Sequence, residues 1–218
     1  MSSKDKDALS QVERQLLLYE LFIFNREFVS KELIKSCLPI SDRMMQRDIQ
    51  HLMEAGLISV KYSKAEKAYI QYSEEAVFNP NGATGRWLIH LERLNRIGTL
   101  MRKLDNDNIN EDEIFDRTKL KSIKQSYEEL YPGISDRTRQ RDFIVLRNIG
   151  YPIKYIRQYR YYNAWNWDFV QFRDDFGVYL ENGVLKRKRG ETDHMDQKIT
   201  AADIARNDMF LQEMESEQ

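Results

Sequence analysis

Apolar residues recur every three or four positions over residues 12–24 and again over 87–104, where Leu88, Leu91, Leu94, Ile97, Met101 and Leu104 share one stripe. That spacing predicts two helices, each buried along one side. Met45, Ile49, Leu52 and Met53 make a shorter face of the same kind, as do Phe143, Leu146 and Ile149. Residues 30–37 predict a short helix capped by Ser30, and residues 114–130 a helical stretch. The period then drops towards two. Residues 57–62 (LISVKY) and 67–72 (KAYIQY) flank the polar tip SKAE, and residues 151–156 (YPIKYI) and 159–162 (YRYY) flank Arg157 and Gln158. Aromatic and β-branched residues alternating around a tight turn predict hairpins. The fold class expected is mainly α with small β-hairpins (α+β).

The pattern occurs twice. Residues 40–56 read ISDRMMQRDIQHLMEAG and residues 134–150 read ISDRTRQRDFIVLRNIG, a constant offset of 94 with nine of seventeen positions identical. Each copy is written as a helix. Ser41 and Ser135 are good N-caps, because a serine oxygen accepts from the free amides of a first turn. Asp42 and Asp136 place negative charge at the positive end of the helix dipole. Gly56 and Gly150 supply a residue at ease in the left-handed conformation that ends helices. Each glycine leads into a hairpin, and each motif is preceded by helical sequence. The sequence therefore predicts two modules of three helices and a hairpin: residues 1–78 and 87–180, joined at 79–86 through the turn-rich NPNGATG. Residues 181–218 read as a polar, flexible tail with a short helix at 201–214. The long stripe over 88–104 exceeds what one small module needs. It is expected either to clamp the two modules together or to form a contact between two copies of the chain.

The 34 Lys and Arg nearly balance the 35 Asp and Glu, for a net charge of −1 over 218 residues. This disfavours indiscriminate coating of nucleic acid but leaves room for a reader that is basic on one face. A single cysteine, Cys37, excludes an internal disulfide and fits a reducing cytosol. No apolar run approaches the roughly 20 residues of a membrane span, and the charged start MSSKDKDALS is unlike a secretory signal. The expected location is cytoplasmic, with no membrane partner.

The residues S-x-R-T-x-x-R-D, a hydrophobic residue, then L and G, followed by Y-P-I and an aromatic hairpin, resemble the winged helix-turn-helix of DeoR-type and WYL-type bacterial transcriptional regulators. The second copy carries Ser135, Arg137, Thr138, Arg141, Asp142, Phe143, Leu146, Gly150, Tyr151, Pro152 and Ile153 of that pattern. The resemblance covers about thirty residues per copy and does not reach the tail. It implies a tandem winged helix whose third helix enters the DNA major groove. The chain departs from the family in lacking a sensor-sized segment and a W-Y-L triplet. It also has Arg139 where the family usually places an aliphatic residue, and Met44 where it often has threonine.

A helix fits the major groove, arginine pairs with guanine, and glutamine pairs with adenine. The face opposite Met45, Ile49 and Leu52 carries Arg43, Gln46 and Arg47; its counterpart carries Arg137, Gln140 and Arg141, with Arg139 and Thr138 beside them. Ser41 and Ser135, with the amides behind them, suit a phosphate. Lys64 and Arg157, at the hairpin tips, suit the DNA backbone. The expected partner is double-stranded DNA, with a homodimer as one arrangement. Arg47 and Arg141 each precede an aspartate, so a structural ion pair is the competing reading. Tyr159, Tyr161, Tyr162, Trp165 and Trp167 suit base stacking or, more commonly, a core or interface.

No phosphate-binding loop, zinc pattern, calcium loop or Ser/His/Asp signature is present, and His51, His90 and His194 lie far apart. The expectation is a non-enzyme without cofactor or metal. Three functions remain open: a transcriptional regulator, a plasmid or phage replication or partition initiator, and a winged-helix module that binds only protein.

Overall fold

The computed structural model describes residues 8–25, 28–73, 75–106, 123–151, 153–156, 161–164 and 178–187. These lie in one compact unit, Met1–Lys188. It is mainly helical, with small antiparallel sheets.

The first repeat begins with α1 (Gln11–Phe24). The Ser10 hydroxyl accepts from the Glu13 amide, and the Glu13 carboxylate takes the Ser10 amide at 2.6 Å, so two orphan donors are satisfied reciprocally. A three-residue strand, β1 (Phe28–Ser30), leads into α2 (Lys31–Cys37), capped by Ser30. Helix α3 (Asp42–Glu54) carries the first copy of the repeated motif, and the hairpin of β2 (Val60–Ser63) and β3 (Ala68–Gln71) follows. Strand β1 pairs with β3, giving the order β1-β3-β2, with Val29 opposite Tyr69 and Tyr62 opposite Tyr69 across the other ladder. Sequence did not disclose β1, since three residues are too few to show a period of two.

Helix α4 (Gly85–Asn106) opens the second repeat. It is followed by α5 (Ile123–Leu130), α6 (Asp136–Asn148) with the second copy of the motif, and the hairpin of β4 (Ile153–Ile156) and β5 (Tyr161–Ala164). The two copies stop in the same way. Leu57 donates to the Leu52 carbonyl at 3.0 Å, and Gly56 to Met53; 94 residues later Tyr151 donates to Leu146 at 2.9 Å, and Gly150 to Arg147.

Both repeats share one core. Leu91, Leu94, Ile97, Leu100, Met101 and Leu104 of α4 are buried in the same cluster as Leu16, Leu17, Met45 and Leu52 of the first repeat and Tyr127, Phe143 and Leu146 of the second. The stripe of α4 is thus covered within the chain, packed on α1 and α3 as well as on α5 and α6. That is the clamp the sequence offered as one of two roles. Gly98 lets α4 come close, since a Cβ there would sit 2.6 Å from the buried Leu57 side chain.

Where the sequence suggested the start of a loose tail, a turn at residues 181–183 joins two strands, β6 (Val178–Glu181) and β7 (Val184–Arg187). Asn182 and Gly183 both have positive φ (50° and 77°), as a two-residue hairpin turn demands. Leu185 is buried, and its carbonyl accepts from the Leu9 amide at 2.8 Å, so β7 is held to the residues just before α1. Arg157, Tyr159, Trp165, Trp167 and His194, and the helix expected at 201–214, lie outside the described residues.

Candidate nucleic-acid interface

Helices α3 and α6 are each capped by their serine: Ser41 Oγ accepts from the Met44 amide and Ser135 Oγ from the Thr138 amide, both at 3.3 Å. Ser135 also shares a 3.0 Å hydrogen bond with the hydroxyl of Thr138, a half-buried residue. Capping uses an acceptor position on Ser41 and leaves its proton free to meet a further acceptor.

From these caps each helix turns one side inward. Met45, Asp48, Ile49 and Leu52 of α3 are buried, as are Asp142, Phe143, Val145 and Leu146 of α6. The opposite sides expose Arg43, Gln46 and Arg47, and Arg137, Gln140 and Arg141. None of these six side chains makes an ion pair or hydrogen bond with the described residues. One turn further on the faces diverge. Gln50 is exposed and donates to Glu54 Oε1 at 3.0 Å, whereas the equivalent Ile144 is 45% exposed. Lys64 is exposed at the turn between β2 and β3.

Arg139 does not belong to this surface. It is 5% exposed, and its guanidinium bonds Glu128 Oε1 of α5 at 2.7 Å and Asp136 Oδ1 at 2.9 Å. It occupies the position that Met45 fills in the first copy. A charge was expected to face solvent, but position 139 lies three residues before Asp142 and four before Phe143, on the inward stripe.

The aspartates of the motif are the residues whose role sequence missed. Asp48 is fully buried; it takes Arg14 Nε at 2.6 Å, Arg14 Nη2 at 2.9 Å and Gln15 Nε2 at 2.9 Å, all from α1. Asp142 is equally buried and takes Arg96 at 2.7 Å and Arg93 at 3.2 Å from α4, and the Tyr127 hydroxyl at 2.8 Å from α5. Burial, with the bond to Asp142 added, pushes the Tyr127 hydroxyl well above its ordinary range, so it remains a donor. The ion pairs that the sequence weighed for Arg47 and Arg141 are therefore made by arginines of the leading helices. Arg47 and Arg141 are left on the outer face. The available signal was an aspartate recurring at the same place in both copies, next to the buried isoleucine or phenylalanine.

A second polar cluster ties α4 to the first repeat. Gln15 Nε2 donates to His51 Nδ1 at 2.7 Å, and His90 Nε2 donates to Gln15 Oε1 at 2.9 Å. The Trp87 ring stacks on His90 and meets His51 edge-on. Burial is the main cause that holds both imidazoles below their ordinary pKa of 6.5; His51 is lowered further by His90, and His90 by Arg93. Both are neutral at pH 7, as the acceptor role of His51 requires. The unfolded chain then binds these protons more readily, so the stability they contribute is complete above pH 6.5 and declines as the pH falls through that value. A melting temperature flat from pH 8 to 7 and falling between 6.5 and 5.5 is expected. The His51→Gln, His90→Gln double variant should flatten that slope. An unchanged slope in the variant would assign it elsewhere.

Among the described residues no helix is long and apolar enough to cross a membrane. No family model, curated protein or solved structure matches the chain.

Proposed function

We propose that the chain is a sequence-reading, double-stranded DNA-binding protein that acts as a transcriptional regulator, built from two winged helix-turn-helix units in tandem. The resemblance to DeoR-type and WYL-type regulators accords with this reading. So does the element order of the first repeat: helix, strand, two helices and a hairpin. The observation that carries it is the repeated outer face. Two capped helices present the same three side chains, Arg43, Gln46 and Arg47 and then Arg137, Gln140 and Arg141, unengaged by the other described residues. Buried aspartates hold both helices from behind. Solvated arginines are common on helices, but the core does not select their identity, so a matched set at both sites needs another reason. Arginine and glutamine at this spacing offer the donors and acceptors that base edges take up.

The test is binding of labelled duplexes by the full-length chain, first enriched from a random library and then measured by anisotropy. Arg47→Ala or Arg141→Ala should weaken the enriched site by about tenfold or more, the worth of a bidentate base contact. Lys64→Ala should weaken all duplexes alike and reduce the salt dependence by about one phosphate's share. If both arginine variants bind as the parent does, the reading fails and a protein-binding role for these helices takes its place.

A further inference from the structure

The two repeats contact each other reciprocally. Helix α1 packs on α4. Helix α1 also touches α6, the motif helix of the other repeat, and α4 in turn touches α3. Side chains follow the same exchange. Asn148, the last residue of α6, donates to Glu13 Oε1 of α1 at 2.6 Å, and Asn95 of α4 donates to the Ala55 carbonyl, the C-cap of α3, at 2.8 Å. In both directions the leading helix of one repeat meets the C-terminal end of the motif helix of the other. Swapping the repeats maps this set of contacts onto itself. Such reciprocity marks a two-fold, isologous arrangement, in which contact i to j returns as j to i. Head-to-tail stacking would give one set of contacts without its return.

Resting on the DNA-binding reading above, we infer that the target is an inverted repeat whose two arms match at the base pairs met by the shared Arg-Gln-Arg set and differ at the one met by Gln50 in one arm and Ile144 in the other. Two-fold-related readers run antiparallel, and a duplex offers equivalent surfaces to such a pair only where its sequence is inverted. Identical reading side chains call for identical bases. At the fourth position the chemistry changes. A glutamine amide matches the adenine edge, whereas an isoleucine side chain offers only apolar contact, which the thymine methyl group accepts in the major groove. Ile144 is suited to this role because it is exposed and shares a face with Arg137, Gln140 and Arg141.

The experiment is enrichment of bound duplexes from a random library by the full chain, with the Ile144→Gln variant run in parallel. The expected result is an inverted repeat with one mismatched step between arms, thymine in one and adenine in the other. In the variant the arms become identical, and its preference at that step shifts by about tenfold, the usual worth of one base pair. Enrichment of a direct repeat, or of a single unrepeated site, overturns the inverted-repeat inference while leaving DNA binding intact. An inverted repeat whose arms do not respond to Ile144→Gln overturns the assignment of that residue. No enrichment at all overturns both this inference and the DNA-binding reading beneath it.

Discussion

Asp142→Ala should cost the fold about 3 kcal/mol, and Asp48→Ala about as much. Each aspartate is a fully buried acceptor for groups from helices outside its own. Truncation of Asp142 strands Arg96 and the Tyr127 hydroxyl and leaves Arg93 only the Arg141 carbonyl; truncation of Asp48 strands Arg14 and one N–H of Gln15, whose amide stays bonded to His51. The penalty comes mainly from buried donors left without partners, not from the attraction itself, which roughly offsets desolvation while both partners are present. The figure lies at the low end of the usual range for broken buried pairs because solvent reaches part of the network: the Arg93 side chain is 34% exposed. Urea unfolding followed by circular dichroism gives the number directly. Because both repeats share one core, either variant should shift a single transition without splitting it in two. A loss below about 1 kcal/mol would mean that the aspartates are not what holds the motif helices in place.

The second large effect is expected at Gly56. This residue ends α3 with φ at +68°, and the chain leading to the linker passes directly over it. A Cβ would stand 2.4 Å from the Phe78 nitrogen and 2.7 Å from the Val77 carbonyl carbon, both backbone atoms that cannot rotate aside. The same passage is fastened by the Asn79 amide, which donates to the Glu54 carbonyl at 2.9 Å. Gly56→Ala therefore combines a left-handed conformation of about 1–2 kcal/mol with displacement of the overlying chain and loss of a hydrogen bond of about 1 kcal/mol. A total of about 2–3 kcal/mol should lower the melting temperature by roughly 5–10 °C for a chain of this size. Gly82→Ala is the control. Gly82 also has positive φ, +75°, but nothing lies within 4 Å of its Cβ position, so it bears the conformational cost alone. Equal shifts in the two variants would show that the close approach at Gly56 contributes nothing.

Features encoded locally were legible in the sequence. A capping serine, a following aspartate, an apolar face and a terminal glycine are all settled within one helix, so both motif helices and their outward arginines could be read directly. Residues whose role depends on a distant partner were not legible. Asp48 finds Arg14, Asp142 finds Arg93 and Arg96, and Gln15 bridges His51 and His90; no spacing rule joins those positions. Arg139 was misplaced because a charged side chain was assigned by its chemistry when its place in the helical period pointed inward. Strand β7 looked like tail because its basic residues, Lys186 and Arg187, outweigh the single buried Leu185.

The joining of both repeats in one polypeptide, with α1 packed on α4, has a consequence for how such a chain can change over time. In a homodimer every substitution occurs twice, so the two outer faces must stay alike. Here the halves are separate stretches of one polypeptide, and a mutation on one face leaves the other as it was. The difference between Gln50 and Ile144 is an instance of that freedom, while the shared core limits how far the inner faces can drift apart. On the DNA-binding reading proposed above, specificity would evolve one arm at a time, with the intact face keeping the protein on its target while the other explores.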